Sequence, residues 1–225
     1  ARVLALDGHG GLAECLLVIE AGQVYLKIGE GGVQQAATSG ERKLSVVPVF
    51  LEVAVLKGQA MEWVVEKAVE LGVEALCPFF SVHGVVKTGQ KTPAEFAARW
   101  QRIADQALKQ CGRNAAMKVQ PPVVGIAGLR AELPVGGMRI WADESSAGGN
   151  VVERPFLSTI RDPQLLVAAH FVVGPEGGFA PQEKAWLNGD GKAVAVTLGA
   201  NILRAETAAL AGVSILAEIL RAGFR

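Results

Sequence analysis

Two glycine-bearing stretches hold the residues best suited to chemistry. In "FVVGPEGGFAP", residues 171–181, an apolar run containing Val173 stops at Gly174-Pro175-Glu176-Gly177-Gly178-Phe179, one carboxylate among three glycines and a proline. In "LGANILRAETAAL", residues 198–210, a strand-like run ends at Leu198-Gly199, and Arg204, Glu206 and Thr207 stand where a helical pattern opens. Adjacent glycines let backbone amides approach a ligand closely or take positive φ. A helix entrance favours anions and capping groups. Each stretch also has an ordinary reading, the first as a strand-to-helix turn and the second as the capping of a buried helix. In open α/β sheets, however, ligands bind beyond the carboxyl ends of strands. Two such loops from neighbouring strand ends could build one pocket.

Several chemistries lack their usual signatures. Neither the 174–178 loop nor "DGHGG" at 7–11 is a GxGxxG dinucleotide fingerprint, and the chain contains no GK[ST] and no GxSxG. Cys15, Cys77 and Cys111 form no CxxC pair, and His9, His83 and His170 are equally scattered, so no metal site is expected. Unpaired thiols fit a reducing cytosol, and a cytoplasmic protein is expected. The longest apolar runs, such as "LLVAAHFVV", are about half the roughly 20 residues that span a bilayer. No basic leader precedes an apolar segment, so neither export nor membrane insertion is expected. Lys plus Arg and Asp plus Glu are equal at 22 each. No global positive field therefore announces a nucleic acid, although a local basic face could be cancelled elsewhere in the chain.

The elements that would position these loops follow from patterning. With 225 residues, 50% of them hydrophobic, the chain can bury a large core. Residues 1–43 read as short strands between glycine turns, "RVLALDGHGG" and then the hairpin "ECLLVIEAGQVYLKIGEGG", followed by a polar linker at 37–43. Residues 44–225 alternate strands and helices, which predicts an α/β domain with a parallel sheet. "SVVPVFLEVAVL", "EALCPFF", "MRIWADE", "QLLVAAHFVV" and "KAVAVTL" read as its strands, with Pro48 limiting the first. "MEWVVEKAVELG" places Met61, Val64, Val65, Ala68 and Leu71 at helical spacing. Thr92-Pro93-Ala94-Glu95 is a helix start with a capping box, and that helix should bury Phe96, Trp100, Ile103, Ala107 and Cys111. The last helix is almost wholly apolar between Ala208 and Leu220. Such a helix must be covered on more than one side, either within the monomer or by a second copy lying on Ala208, Ala211, Gly212, Leu216 and Leu220.

These residues resemble a known family. "GPEGGF" followed by "LGANILRAETA" is similar to the paired signature of the knotted SPOUT methyltransferases, in particular the bacterial small-subunit (16S) ribosomal RNA uridine-N3 methyltransferases. "KGQAMEWVVEKAVELGVEALCPFFS", "RWQRIADQALKQCGR" and "ADES", near Glu144, extend the likeness over most of the chain. The resemblance implies an α/β domain with a C-terminal trefoil knot behind a small PUA-like β-barrel, which here lacks the family's first strands. It also implies S-adenosylmethionine as cofactor, ribosomal RNA or the small subunit as substrate, and a homodimer paired through the knot and last helix. The cofactor residues it implies are Val173, Gly174, Glu176, Gly177, Gly178, Leu198, Gly199, Ile202, Leu203, Arg204 and Thr207. Arg113, Glu176, Arg204 and Glu206 are the candidate catalytic groups, and Lys67, Arg99 and Arg113 the candidate RNA contacts. "SVHGVVK", 81–87, stands where the family is more basic, so His83 and Lys87 would carry a reduced contact. Two other functions compete: a SPOUT ribose 2′-O-methyltransferase, and a non-catalytic RNA-binding or ribosome-assembly protein.

Overall fold

A computed structural model describes residues 2–6, 11–20, 23–35, 47–87, 89, 91–129, 133–144 and 160–223. The expected Asp7-Gly8 turn and the 37–43 linker lie outside the described residues. The early strands form an antiparallel sheet of β1 (Arg2–Leu6), β2 (Gly11–Glu20), β3 (Gln23–Ile28) and β4 (Gln34–Gln35). β1 and β3 flank β2, with Val3 opposite Cys15 and Leu17 opposite Leu26. Only the first half of β2 is inward-facing, at Gly11, Ala13 and Cys15, whereas β3 is exposed along its length.

The second sheet has seven strands, all paired in parallel as the alternating pattern predicts. They are β5 (Val49–Ala54), β6 (Ala75–Phe80), β7 (Lys118–Val119), β8 (Val123–Val124), β9 (Gly137–Ala142), β10 (Ala168–Val173) and β11 (Ala193–Val196). Their order is β11-β9-β10-β5-β6-β7, with β8 also on β6. β5 begins just after Pro48, which has no N–H to give a ladder, while the Pro48 carbonyl accepts from Ala169 at 3.0 Å. Among the described residues the α-helices are α1 (Gln59–Glu70), α2 (Pro93–Cys111), α3 (Pro181–Asn188) and α4 (Ala205–Ala222).

One face of this sheet carries the main core. Leu51, Val53, Leu76, Ile140, Phe171 and Val173 pack there with Met61, Val65, Trp100, Val213 and Leu216 from the helices. Full burial of each large apolar side chain contributes roughly 1.5–3 kcal/mol. α2 starts as predicted. The Thr92 hydroxyl accepts from Glu95 N at 3.3 Å, and the Glu95 carboxylate accepts from Thr92 N at 2.7 Å. Its buried stripe is Ala97, Trp100, Ala104, Ala107 and Leu108; Phe96 and Ile103 are half-buried, and Cys111, expected inside, is exposed at the helix's last position.

α4 corrects a second expectation. Ala208, Gly212, Leu216 and Leu220 are buried inside the subunit, and a Cβ on Gly212 would collide with the Phe171 ring. Gly212 admits the Phe171 ring of β10, and the burial of all four residues within the subunit leaves them no exposed face for a second copy. The exposed positions are Thr207, Ser214, Glu218, Arg221 and Ala222, with Glu206, Leu210, Ala211, Ile215 and Ile219 half-buried.

The other face of the sheet is less apolar. Glu52 of β5 accepts from Arg139 Nε (2.8 Å) and Nη2 (3.0 Å) and faces His170 Nδ1 at 2.8 Å. Arg139 also donates to the Gly191 carbonyl at 3.0 Å and stacks 5.3 Å from the centre of the Trp186 ring. The imidazole lies parallel to Phe50 at 4.5 Å. A run of alternating apolar residues gives no warning of such a network, because its partners come from three strands.

Candidate functional site

β9, β10 and β11 end on one side of the sheet, and the described residues just beyond each of them border a common space with Ala60 at the start of α1. The space between is a cleft of about 480 Å³. That volume lies within the ~300–1,000 Å³ common for small-molecule sites. Both glycine-bearing stretches line it. From the first come Val173, Gly174, Pro175, Glu176, Gly178 and Phe179; from the second, Leu198, Gly199, Asn201, Ile202, Leu203, Arg204 and Glu206. Gly177 and Thr207, expected cofactor contacts, are not part of the lining: both are exposed, and Gly177 rests against another loop.

The glycines of the first loop answer mainly to protein neighbours. A Cβ on Gly174 would press on the Phe179 ring at 3.0 Å, and one on Gly177 would meet His83 Cβ at 3.1 Å. Gly178 has φ +72°, and a Cβ there would run into the Glu144 carboxylate. The loop is thus folded tightly on itself, on the 81–83 turn and on the end of β9. Gly199 is different. Its φ of +124° excludes side chains, yet the space around it is open toward the cleft.

The charged groups are unevenly distributed. Asp143, Glu144, Glu176 and Glu206 face the cleft against Lys184 and Arg204. Lys184 is held by Asp143 at 3.1 Å and lies 5.7 Å from the centre of the Trp141 ring. Arg204 is the N-cap residue of α4 and Glu206 stands in its first turn, where the positive helix end favours a carboxylate. Among the described residues, acids therefore outnumber bases in the lining, which suits a ligand bearing positive charge. Asp143 and Lys184 escaped the sequence reading, and Glu144 entered it only as a strand end. The two acids close the "MRIWADE" strand, so the strand-end rule that found the glycine loops could have found them too.

The remaining candidates lie outside the cleft. Arg113 donates to the Val73 carbonyl at 2.7 Å and the Val69 carbonyl at 3.4 Å, beside Glu74 at 3.9 Å. It satisfies carbonyls at and just beyond the C-terminal end of α1, a position within the subunit and outside the cleft lining. Arg99 is paired with Glu62. Lys67 bonds Glu66 at 2.7 Å and Glu70 at 2.8 Å, and these two carboxylates hold its ammonium above the usual lysine range. Lys87 donates to the Val82 carbonyl at 2.6 Å. Among the described residues no group of three or more His, Cys, Asp or Glu is placed to hold a metal, and no helix is long and apolar enough to cross a membrane.

Comparison with known proteins places this architecture. A family model described as an RNA methyltransferase domain matches residues 42–217. Ribosomal RNA small subunit methyltransferase E of Bacillus subtilis is 31% identical over 82% of this chain and 72% of its own. The protein of the same name from Mycobacterium tuberculosis is 33% identical over 90% of this chain and 72% of its own. Among solved structures, that of the Neisseria gonorrhoeae protein of this name, bound to S-adenosyl methionine, superposes with a TM-score of 0.77 at 30% identity, covering 96% of this chain and 82% of that one.

Proposed function

The chain belongs to the RNA methyltransferase family, among the small-subunit methyltransferase E proteins of the SPOUT class, and on that premise we propose that it methylates N3 of a uridine in 16S ribosomal RNA. S-adenosylmethionine is the methyl donor. The observation that carries the reading is the cleft at the ends of β9, β10 and β11, with its open Gly199 and its excess of carboxylates.

The residues present fit that cofactor. Leu198, Ile202 and Leu203 supply apolar walls, and the backbone of 198–203 supplies donors and acceptors for an adenine edge. The surplus of acids complements a donor that carries a sulfonium and an ammonium against one carboxylate. When bound, the cofactor supplies an activated methyl group, so the protein need not generate an electrophile. What remains for the chain is to align the acceptor and remove the N3 proton of uracil. Glu206 and Glu176 are the carboxylates at the cleft that can receive it. Arg204, at the same rim, can stabilise the developing uracil anion.

RNA would approach along the face of α1 and α2. Lys67 and Arg99 would contact phosphate by exchanging Glu66, Glu70 and Glu62 for it, whereas Arg113 acts by holding α1. The finer architecture belongs to the same proposal: a C-terminal trefoil knot, a PUA-like unit in residues 1–43 ahead of a catalytic domain in 44–225, and a cytoplasmic homodimer. β10 lying between β5 and β9 supports the knot. With Gly212, Leu216 and Leu220 buried, dimer contacts on α4 fall to Thr207, Ala211, Ser214 and Glu218.

Two measurements test the function. Calorimetry should show S-adenosylhomocysteine binding to the isolated chain. Nucleosides from small-subunit RNA treated with the protein and cofactor should contain new N3-methyluridine. A ribose-methylated nucleoside instead would move the target from base to sugar, and no binding would remove the cofactor assignment.

A further inference from the structure

We propose that Glu183 is a positioning residue for the cofactor loop, fixing residues 174–180 against the 81–83 turn and thereby setting cofactor affinity. The inference rests on the methyltransferase reading above and deepens it.

Glu183, in the first turn of α3, is 2% exposed. Its carboxylate collects three donors. Oε2 accepts from Ala180 N at 2.9 Å and from Ser81 Oγ at 3.0 Å, and Oε1 accepts from Val82 N at 3.2 Å. Ser81 is itself 4% exposed. A residue serving only as the return half of a helix cap needs the first of these bonds alone. The other two reach a segment a hundred residues away, the turn that follows β6.

That turn is the back wall of the glycine loop. The His83 ring nitrogen Nδ1 lies 3.3 Å from the Gly177 carbonyl oxygen, and a Cβ on Gly177 would press on His83 Cβ at 3.1 Å and its carbonyl oxygen at 3.2 Å. The loop therefore has two sides. Val173, Gly174, Glu176 and Gly178 face the cleft, while Gly177 and Ala180 rest on the 81–83 turn through His83 and Glu183. Ala180 directly follows Phe179, the loop's last residue in the cleft wall, so fixing its N–H fixes where the loop ends. A carboxylate taken out of water needs such donors, and these three are the ones that lock the two segments together. Cofactor contacts made by the loop are then preorganised, and losing the lock adds an ordering cost to binding.

The test uses the full chain carrying Glu183→Gln, and separately Ser81→Ala, which keeps the carboxylate and removes one donor. Calorimetry with S-adenosylhomocysteine and steady-state methylation of small-subunit RNA are the readouts. For Glu183→Gln the Kd for S-adenosylhomocysteine and the KM for S-adenosylmethionine should rise roughly tenfold, the scale of one charge-assisted hydrogen bond. kcat at saturating cofactor should stay within about twofold, because bound cofactor restores the loop. Ser81→Ala should shift the same two constants by about two- to fivefold. A merely structural role would lower the folded, active fraction, so kcat would fall with KM unchanged; that result overturns the proposal. If Glu183→Gln does not fold, unaltered affinity in Ser81→Ala is enough to overturn it. A parent that binds no S-adenosylhomocysteine defeats the methyltransferase reading instead, whereas a parent that binds and two variants that match it defeat only the role of Glu183.

Discussion

Arg139 and Glu52 form a bidentate ion pair that spans β10, Nε to Oε2 at 2.8 Å and Nη2 to Oε1 at 3.0 Å, with Arg139 wholly buried and Glu52 at 2% exposure. The pair joins the two strands on either side of β10, whose end opens the glycine loop. Its desolvation cost is offset only while both charges are present. Glu52→Gln leaves the guanidinium with an uncharged partner and should cost about 3–5 kcal/mol. Denaturant unfolding of the variant measures this; a loss under about 1 kcal/mol, the range of surface pairs, would show that solvent reaches the site.

The second prediction concerns Gly178, where a side chain meets both a φ of +72° and the Glu144 carboxylate. Gly178→Val must strain the backbone and push the Glu144 carboxylate aside, and both residues line the cleft. S-adenosylhomocysteine binding should fall by at least roughly a hundredfold, while the circular dichroism spectrum stays that of the parent; a Kd like the parent's would place the cofactor elsewhere. The expected cost combines ~1–2 kcal/mol of backbone strain with lost contacts.

Burial, reinforced by the neighbouring Glu52 charge, pushes the Cys77 thiol up to about 12. At pH 8 its thiolate is then about one part in ten thousand, so Cys77 should resist alkylation that modifies the exposed Cys111. The effect on stability has a definite sign. Above pH 9 an unfolded chain loses the thiol proton while the folded chain keeps it, so stability falls with rising pH between about 9 and 12. Cys77→Ala should flatten that part of the pH profile, followed by denaturant midpoints; an unchanged slope would remove Cys77 as its source.

RNA contact by Lys67 and Arg99 should be electrostatic and indifferent to sequence. Either residue changed to Ala should weaken RNA binding uniformly and reduce the salt slope by about one. S-adenosylhomocysteine affinity should remain that of the parent. Filter binding over a salt series decides; an unaltered slope would leave the ion pairs with Glu62, Glu66 and Glu70 as their whole role.

The dimer is tested at Ala211, half-buried on α4 between the exposed Thr207 and Ser214. Ala211→Glu would bury an unpaired charge in an interface there. Sedimentation equilibrium should find a parent dimer at micromolar concentration and a monomeric variant with lower turnover. A parent that is a monomer and methylates RNA would remove the dimer.

Much of the fold was legible because it depends on local periodicity. The strand at Val49–Ala54, the capping box at Thr92, Pro93 and Glu95, and α4 from Ala205 are encoded within a few residues of themselves. The two cleft loops were legible for the same reason, since a strand end, a glycine and a helix start are consecutive in the chain. What the glycines are for was not. Gly177 answers to His83, Gly178 to Glu144 and Gly212 to Phe171, partners tens of residues away. Arg113 read as a catalytic and RNA-binding candidate, yet it donates to carbonyls at the end of α1, and Glu183, which no pattern singled out, accepts from Ser81 and Val82. By itself the sequence determined which segments turn, which pair as strands and which coil. Tertiary structure alone decided which charges are spent on the protein and which face the cleft, because hydrogen bonds and close contacts are set by distance in space and not by spacing along the chain.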